Sequence, residues 1–185
     1  YPYMITRISD DRYIIKMEYE KPYCMGVFID IYPYDGLGTT EKEAVTYGMK
    51  GDRLSSLCYQ STREHFAIET TTSLFRKIIK YPIFIGSKLI GKDYFQKKLN
   101  QLVELKEYED SNYIGCIVWL SGGKKEIFLR KWFDETIMVP FEKYQFRVPK
   151  DYDEVLRHTY GDYMQLPPEK DRIGHHYFKA YRKDE

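Results

Sequence analysis

One acid set inside a strand-forming run constrains this chain more than any other feature. Residues 27–36 read Val-Phe-Ile-Asp-Ile-Tyr-Pro-Tyr-Asp-Gly. In an extended strand successive side chains alternate faces, so Asp30 shares a face with Phe28 and Tyr32 while Val27, Ile29 and Ile31 point the other way. A carboxylate taken out of water needs a cation, a metal or several hydrogen-bond donors. Asp30 is therefore either a site residue or an edge-strand acid facing solvent, and this window alone does not separate the two. Pro33 cannot donate to a ladder and Asp35-Gly36-Leu37-Gly38 has turn chemistry, which predicts that the strand ends near Tyr32.

The 185 residues suit one domain with a core that needs no disulfide staple. Cys24, Cys58 and Cys116 lie far apart without a CxxC pair, which argues against a zinc knuckle or disulfide framework and for a reduced compartment. With 29 basic and 28 acidic residues there is no broad positive field, so nucleic acid is not an expected partner. No apolar run approaches the ~20 residues of a membrane-spanning helix, and no secretory signal opens the chain. The chain starts at Tyr1 inside a strand-like pattern, so further residues are expected upstream in the natural protein.

Residues 3–8 and 13–19 are β-rich runs separated by Ser9-Asp10-Asp11-Arg12, read as a hairpin or a tight connection. With the strand at residues 24–32 they imply a sheet. Thr39-Thr40 ahead of Glu41 and Glu43 predicts a capped helix, which Gly48 and Gly51 would weaken or divide. Residues 74–90 mix Phe75, Ile78, Ile79, Ile83 and Leu89 with Arg76, Lys77, Lys80 and Lys88, and Pro82 interrupts them. This stretch reads either as a buried, broken helix or as an amphipathic face for an anionic membrane. Gly86-Ser87 lacks the following Asp-x-Asp of a nucleotide-transfer turn, and Phe95, Leu99 and Leu102 continue as a helix stripe. Residues 113–120 read as a buried strand, and residues 127–133 are ambiguous between strand and helix. Residues 140–148 hold two more strands, and Asp151 begins a helix through Tyr160 that Gly161 ends. Asp151 and Asp153 read as cap and dipole partners rather than metal ligands.

Two windows taken together resemble the LicD-type phosphocholine transferases, related to fukutin and the fukutin-related ribitol-phosphate transferases. The first is residues 27–36. The second runs through Val139-Pro140-Phe141-Glu142, Val148-Pro149-Lys150-Asp151-Tyr152-Asp153 and Tyr160-Gly161-Asp162-Tyr163-Met164 to Leu166-Pro167-Pro168, Arg172, His175 and His176.

The resemblance implies an α/β (α+β) fold, a nucleotidyltransferase-like mixed sheet flanked by helices, with residues 1–185 forming the C-terminal portion of a single domain whose N-terminal part is absent. It implies transfer of a phosphoryl-linked head group from a CDP-linked donor such as CDP-choline to a glycan or lipid-linked glycan acceptor, as in modification of lipopolysaccharide or teichoic acid. A divalent cation, Mg2+ or Mn2+, would bridge the donor's phosphates. The family takes most of its metal carboxylates from an upstream Asp-Asp-Asp-x-Asp motif that this sequence lacks. Asp30 matches the remaining catalytic and metal-binding acid, and Arg172, His175, His176, Tyr160 and Gly161 match substrate-binding positions. The expected location is cytoplasmic, with peripheral contact at the inner face of the membrane. The rival expectation is a non-catalytic nucleotide- or glycan-binding module that keeps the fold without the metal motif.

Overall fold

The structure is a computed structural model that describes residues 4–17, 25–66, 73–120, 123–169, 172 and 178–183. In chain order it contains β1 (Thr6–Asp10), β2 (Tyr13–Met17), β3 (Val27–Ile31), β4 (Asp35–Gly38), α1 (Glu41–Thr62), α2 (Leu74–Ile90), α3 (Lys92–Val103), β5 (Tyr113–Gly115), β6 (Phe128–Leu129), β7 (Thr136–Phe141), β8 (Tyr144–Pro149), α4 (Tyr152–Tyr160) and β9 (Phe178–Arg182). The composition is mixed α+β, as expected. Among the described residues the strands pair antiparallel and fall into small sheets of two or three strands. The chain divides into two compact units.

The first unit holds β1, β2, β3, β9, α2, α3 and the C-terminal part of α1. Strand β1 pairs with β3, and β2 pairs with β9. Residues 9–12 are thus a tight connection and not a hairpin. The Asp10 carboxylate accepts the Arg12 amide at 3.0 Å and its guanidinium Nη2 at 2.6 Å, which closes the turn and frees β2 to pair elsewhere. Buried Ile15, Cys58, Phe84, Phe95, Leu99 and Leu102 supply this unit's core. Burying one such aliphatic side chain fully stabilises by ~1.5–3 kcal/mol.

The second unit holds β4 to β8, α4 and the N-terminal part of α1. The turn expected at residues 35–38 is instead strand β4, on the edge of the sheet β4-β5-β6. Glycine explains this outcome better than turn propensity does. A Cβ on Gly36 would stand 2.4 Å from the Glu107 carbonyl oxygen and 2.5 Å from Ser111 Oγ, so glycine lets two backbones approach.

Gly48 and Gly51 do not divide α1, which runs unbroken. Each removes a clash with the core of the second unit, where a Cβ would come 2.6 Å from Leu120 Cδ2 and 2.2 Å from the Ile117 carbonyl oxygen. Close packing offsets the ~1 kcal/mol propensity cost of each glycine. The hydroxyl cap is present, with the Thr40 Oγ1 accepting the Glu43 amide and the Glu43 carboxylate accepting the Thr39 amide.

Only the first three residues of the run 113–120 are strand, because the neighbouring strand β6 is two residues long. Cys116, Ile117, Val118 and Leu120 remain buried in a turn closed by the Trp119 amide on the Cys116 carbonyl. The ambiguous run 127–133 resolves into β6 and one 3-10 turn, Arg130–Phe133. Strands β7 and β8 form a hairpin whose turn residue Glu142 has φ 53°.

Candidate active-site residues

Asp30 sits opposite Arg7 in the β1–β3 pair. Directly opposed residues on antiparallel strands project to one face, and here the guanidinium closes on the acid from two sides. Arg7 Nε donates to Asp30 Oδ1 at 2.5 Å and Nη2 donates to Oδ2 at 2.8 Å. The two side chains retain 10% and 16% exposure. The guanidinium also lies 3.5 Å from the Phe28 ring centroid, so an aromatic face and a carboxylate fix its plane. The compensating cation that the sequence demanded is therefore an arginine.

The face assignment of residues 27–31 holds, but burial is the reverse of what apolarity alone suggests. Phe28 and Asp30 lie on the sheltered face, while Ile8 and Ile29 on the other are 60% and 71% exposed.

A divalent cation does not fit the described residues as they stand. Both Asp30 oxygens accept from Arg7, and among the described residues no group of three or more His, Cys, Asp or Glu side chains is placed to hold a metal ion.

Tyr160, Gly161 and Arg172 belong to the second unit. Tyr160 ends α4 with 70% exposure, and Gly161 caps the helix at φ 72°, its amide donating to the Arg157 carbonyl at 2.8 Å. That amide is committed to the cap. Arg172 donates from Nε to the Pro167 carbonyl at 2.8 Å, closing the Leu166-Pro167-Pro168 segment back on itself. His175 and His176 lie outside the described residues. Asp153, read from the sequence as structural, accepts Arg157 Nε and Tyr163 Oη, each at 2.7 Å. Arg157 first and Tyr163 second hold its carboxyl below the usual range. It clasps the end of α4.

Asp35 is the residue that sequence reasoning assigned to a turn. In β4 it lies opposite Gly115 and is partly buried. Its Oδ2 is buried without a hydrogen-bond partner among the described residues. Burial raises its carboxyl to about 6, against a lowering hydrogen bond from the Ile117 amide. Burial, then the charge of Asp35, pushes the Cys116 thiol up to about 12, and the same two causes raise Tyr47. A partly buried acid with a displaced pKa is a recognised mark of a functional site. The signal available in the sequence was an acid five residues after Asp30, between Tyr34 and the Gly36-Leu37 pair.

A cleft of about 380 Å³ opens in the second unit, lined in part by Glu41, Tyr113, Lys124, Lys125, Trp132 and His158. His158 Nε2 lies 3.1 Å from the Lys124 carbonyl, and its ring packs 5.6 Å from that of Trp132. The cleft has the size of a small-molecule site and is lined by aromatic rings and by two lysines.

No protein-family model and no solved structure matches the chain. A curated relative does: the chain is 32% identical over 157 residues to the lipopolysaccharide cholinephosphotransferase LicD of Haemophilus influenzae. The match covers 84% of this chain and 57% of the relative, so the chain spans a little over half of that protein's length.

Proposed function

Because the chain is a relative of the LicD-type cholinephosphotransferases, we propose that the protein it belongs to transfers a phosphoryl-linked head group, phosphocholine or a similar alcohol phosphate, from a CDP-linked donor to a glycan hydroxyl. The identity to a lipopolysaccharide cholinephosphotransferase over most of the chain carries the reading. In the reaction the acceptor oxygen attacks the phosphorus that bears the head group. The bond to the bridging oxygen breaks, CMP leaves, and the hydroxyl proton passes to a base or to solvent.

Within this reaction Asp30 is a positioning acid. Its two oxygens take the Nε and Nη2 edge of Arg7 and hold that guanidinium against Phe28. Arg172, His175 and His176 are proposed to meet phosphate oxygens or the acceptor, with the backbone near Tyr160 and Gly161 contributing. A divalent cation would supply charge neutralisation on the phosphates. Because the described residues do not fit one, no step is assigned to a metal, and its carboxylates would have to come largely from outside these residues.

Transfer of labelled head group from CDP-choline to lipopolysaccharide or teichoic acid by the full-length protein tests the reading. Asp30→Ala should lower kcat on the order of a hundredfold through misplacement of Arg7, with the far-ultraviolet spectrum retained. Unchanged turnover in that variant would sink the role.

The commitment of Asp30 to Arg7, together with the lack of an acid cluster among the described residues, favours a second reading: a non-catalytic module that binds a nucleotide or glycan. An Asp-Asp-Asp-x-Asp motif encoded in frame upstream supports the enzyme. CDP-choline binding without turnover in a protein lacking that motif supports the module.

A further inference from the structure

Helix α2 is inside out. Leu74, Phe75, Ile78, Ile85 and Leu89 fall on one arc of a 3.6-residue helix, and this arc faces solvent: Leu89 is 84% exposed, Leu74 74%, Phe75 72% and Ile78 63%. The residues that α2 buries, Phe84 and Ser87, lie on the opposite arc. The cations lie around that opposite arc, where Arg76, Lys80 and Lys88 are themselves exposed. Arg76 borders the apolar arc on one side, Lys77 and Lys88 border it on the other, and Lys80 stands between them. Lys88 Nζ rests 5.4 Å from the Phe84 ring. Between residues 74 and 90 there are four cations and no acid.

Of the two readings of residues 74–90, the buried, broken helix is corrected in both respects: α2 is continuous through Pro82, and its apolar side is uncovered. Exposed apolar area of this kind marks an interaction surface. We propose that the apolar arc of α2 lies in the headgroup boundary of an anionic lipid bilayer, with Arg76, Lys77 and Lys88 reaching up from its margins to lipid phosphates.

Charge selects this occupant. Two copies of α2 packed apolar arc to apolar arc would bring the flanking Arg76, Lys77 and Lys88 of each together with no acid on the helix to answer them, which like-charge repulsion opposes. An anionic leaflet meets the same cations with opposite charge, and the long aliphatic stems of lysine and arginine suit the edge of an apolar surface. A helix of 17 residues, about 26 Å long, is suited to lying in the boundary. No helix among the described residues is long and apolar enough to cross a membrane. The inference does not depend on transferase activity. It would, however, bring a transferase to a lipid-linked acceptor.

Co-sedimentation of the chain with vesicles tests it. The chain should pellet with phosphatidylglycerol-containing vesicles and not with pure phosphatidylcholine, and added salt should weaken binding. Combined Phe75→Ser, Ile78→Ser and Leu89→Ser should lower the partition coefficient at least about tenfold. Combined Arg76→Glu and Lys88→Glu should lower it by a similar factor. These positions are at the surface, so both variants should keep the wild-type circular dichroism spectrum. No pelleting with anionic vesicles at low salt, equal binding to neutral and anionic vesicles, or full binding by both variants overturns the proposal. So does a dimer in sedimentation velocity that the serine variant abolishes while vesicles stay unbound.

Discussion

Asp30 and Asp35 are five residues apart in one stretch, each inside a strand and each largely withdrawn from water, yet they are handled in opposite ways. Asp30 has an arginine directly across the ladder, and both of its oxygens accept from it. Asp35 has a glycine across the ladder, one backbone amide and one buried oxygen without a partner among the described residues. The cross-strand neighbour makes the difference. An acid opposite arginine is compensated within its own sheet, whereas an acid opposite glycine carries its desolvation cost unrelieved and takes up a proton more readily. The second arrangement favours a proton that comes and goes.

The most forceful way to break this contrast is to remove the cation. Arg7→Ala should leave Asp30 nearly buried beside Phe28 with no counter-charge, at a cost of about 3 kcal/mol in urea denaturation. Arg7→Met combined with Asp30→Leu should recover most of that loss, since an apolar pair needs no compensation. A cost below about 1 kcal/mol for the single variant would mean that the pair behaves as a surface contact, and the two acids would not differ as argued.

A smaller effect is expected at Asp35, and it depends on pH. Its carboxyl loses a proton near 3.8 ordinarily and near 6 in the folded protein. Because the folded-state value is raised, its stability contribution is fully present below about pH 4 and is lost as the pH rises through about 6. With allowance for solvent screening at a partly exposed group, the loss is about 1–2 kcal/mol by pH 7. Asp35→Asn should abolish the slope, matching the wild type at pH 4 and exceeding its stability at pH 7. Parallel denaturation curves for the two proteins across that range would show that Asp35 keeps its ordinary value.

Those two acids also show what was legible before any coordinates. Alternation put Asp30 on the correct face and asked for a partner, but pairing between β1 and β3 is a long-range fact, so a sequence can demand a cation without naming Arg7. Asp35 escaped because Asp-Gly is a strong local turn signal, and that signal was overridden by the close approach that Gly36 permits to Glu107 and Ser111. The same override explains α1, where Gly48 and Gly51 look like breaks and are contact points. Helix periodicity was most reliable where the stripe was buried, as at Phe95, Leu99 and Leu102. It misled at α2, where an identical kind of stripe faces outward. Periodicity reports that a face is apolar, and only packing reports what covers it.

The smallest expected effect extends the contrast to an acid that is compensated but less sheltered. At the start of α1 the Glu43 carboxylate accepts the Thr39 amide and a charge-assisted hydrogen bond from Lys106 Nζ, while the Glu43 amide donates to Thr40 Oγ1. Lys106 first, and the Thr39 amide second, hold its carboxyl at about 2, well below its ordinary 4.5. The sign is therefore opposite to that of Asp35. Stability from Glu43 is present above pH 4.5 and is lost as the pH falls through about 2. Glu43→Gln should lower the thermal midpoint at pH 7 by less than Arg7→Ala does, and its difference from the wild type should shrink steadily below pH 4.5. A difference that persists unchanged at pH 2 would assign the contribution of Glu43 to its shape and stem contacts. The cross-strand rule for charge would then stop at the sheet and leave helix caps to packing.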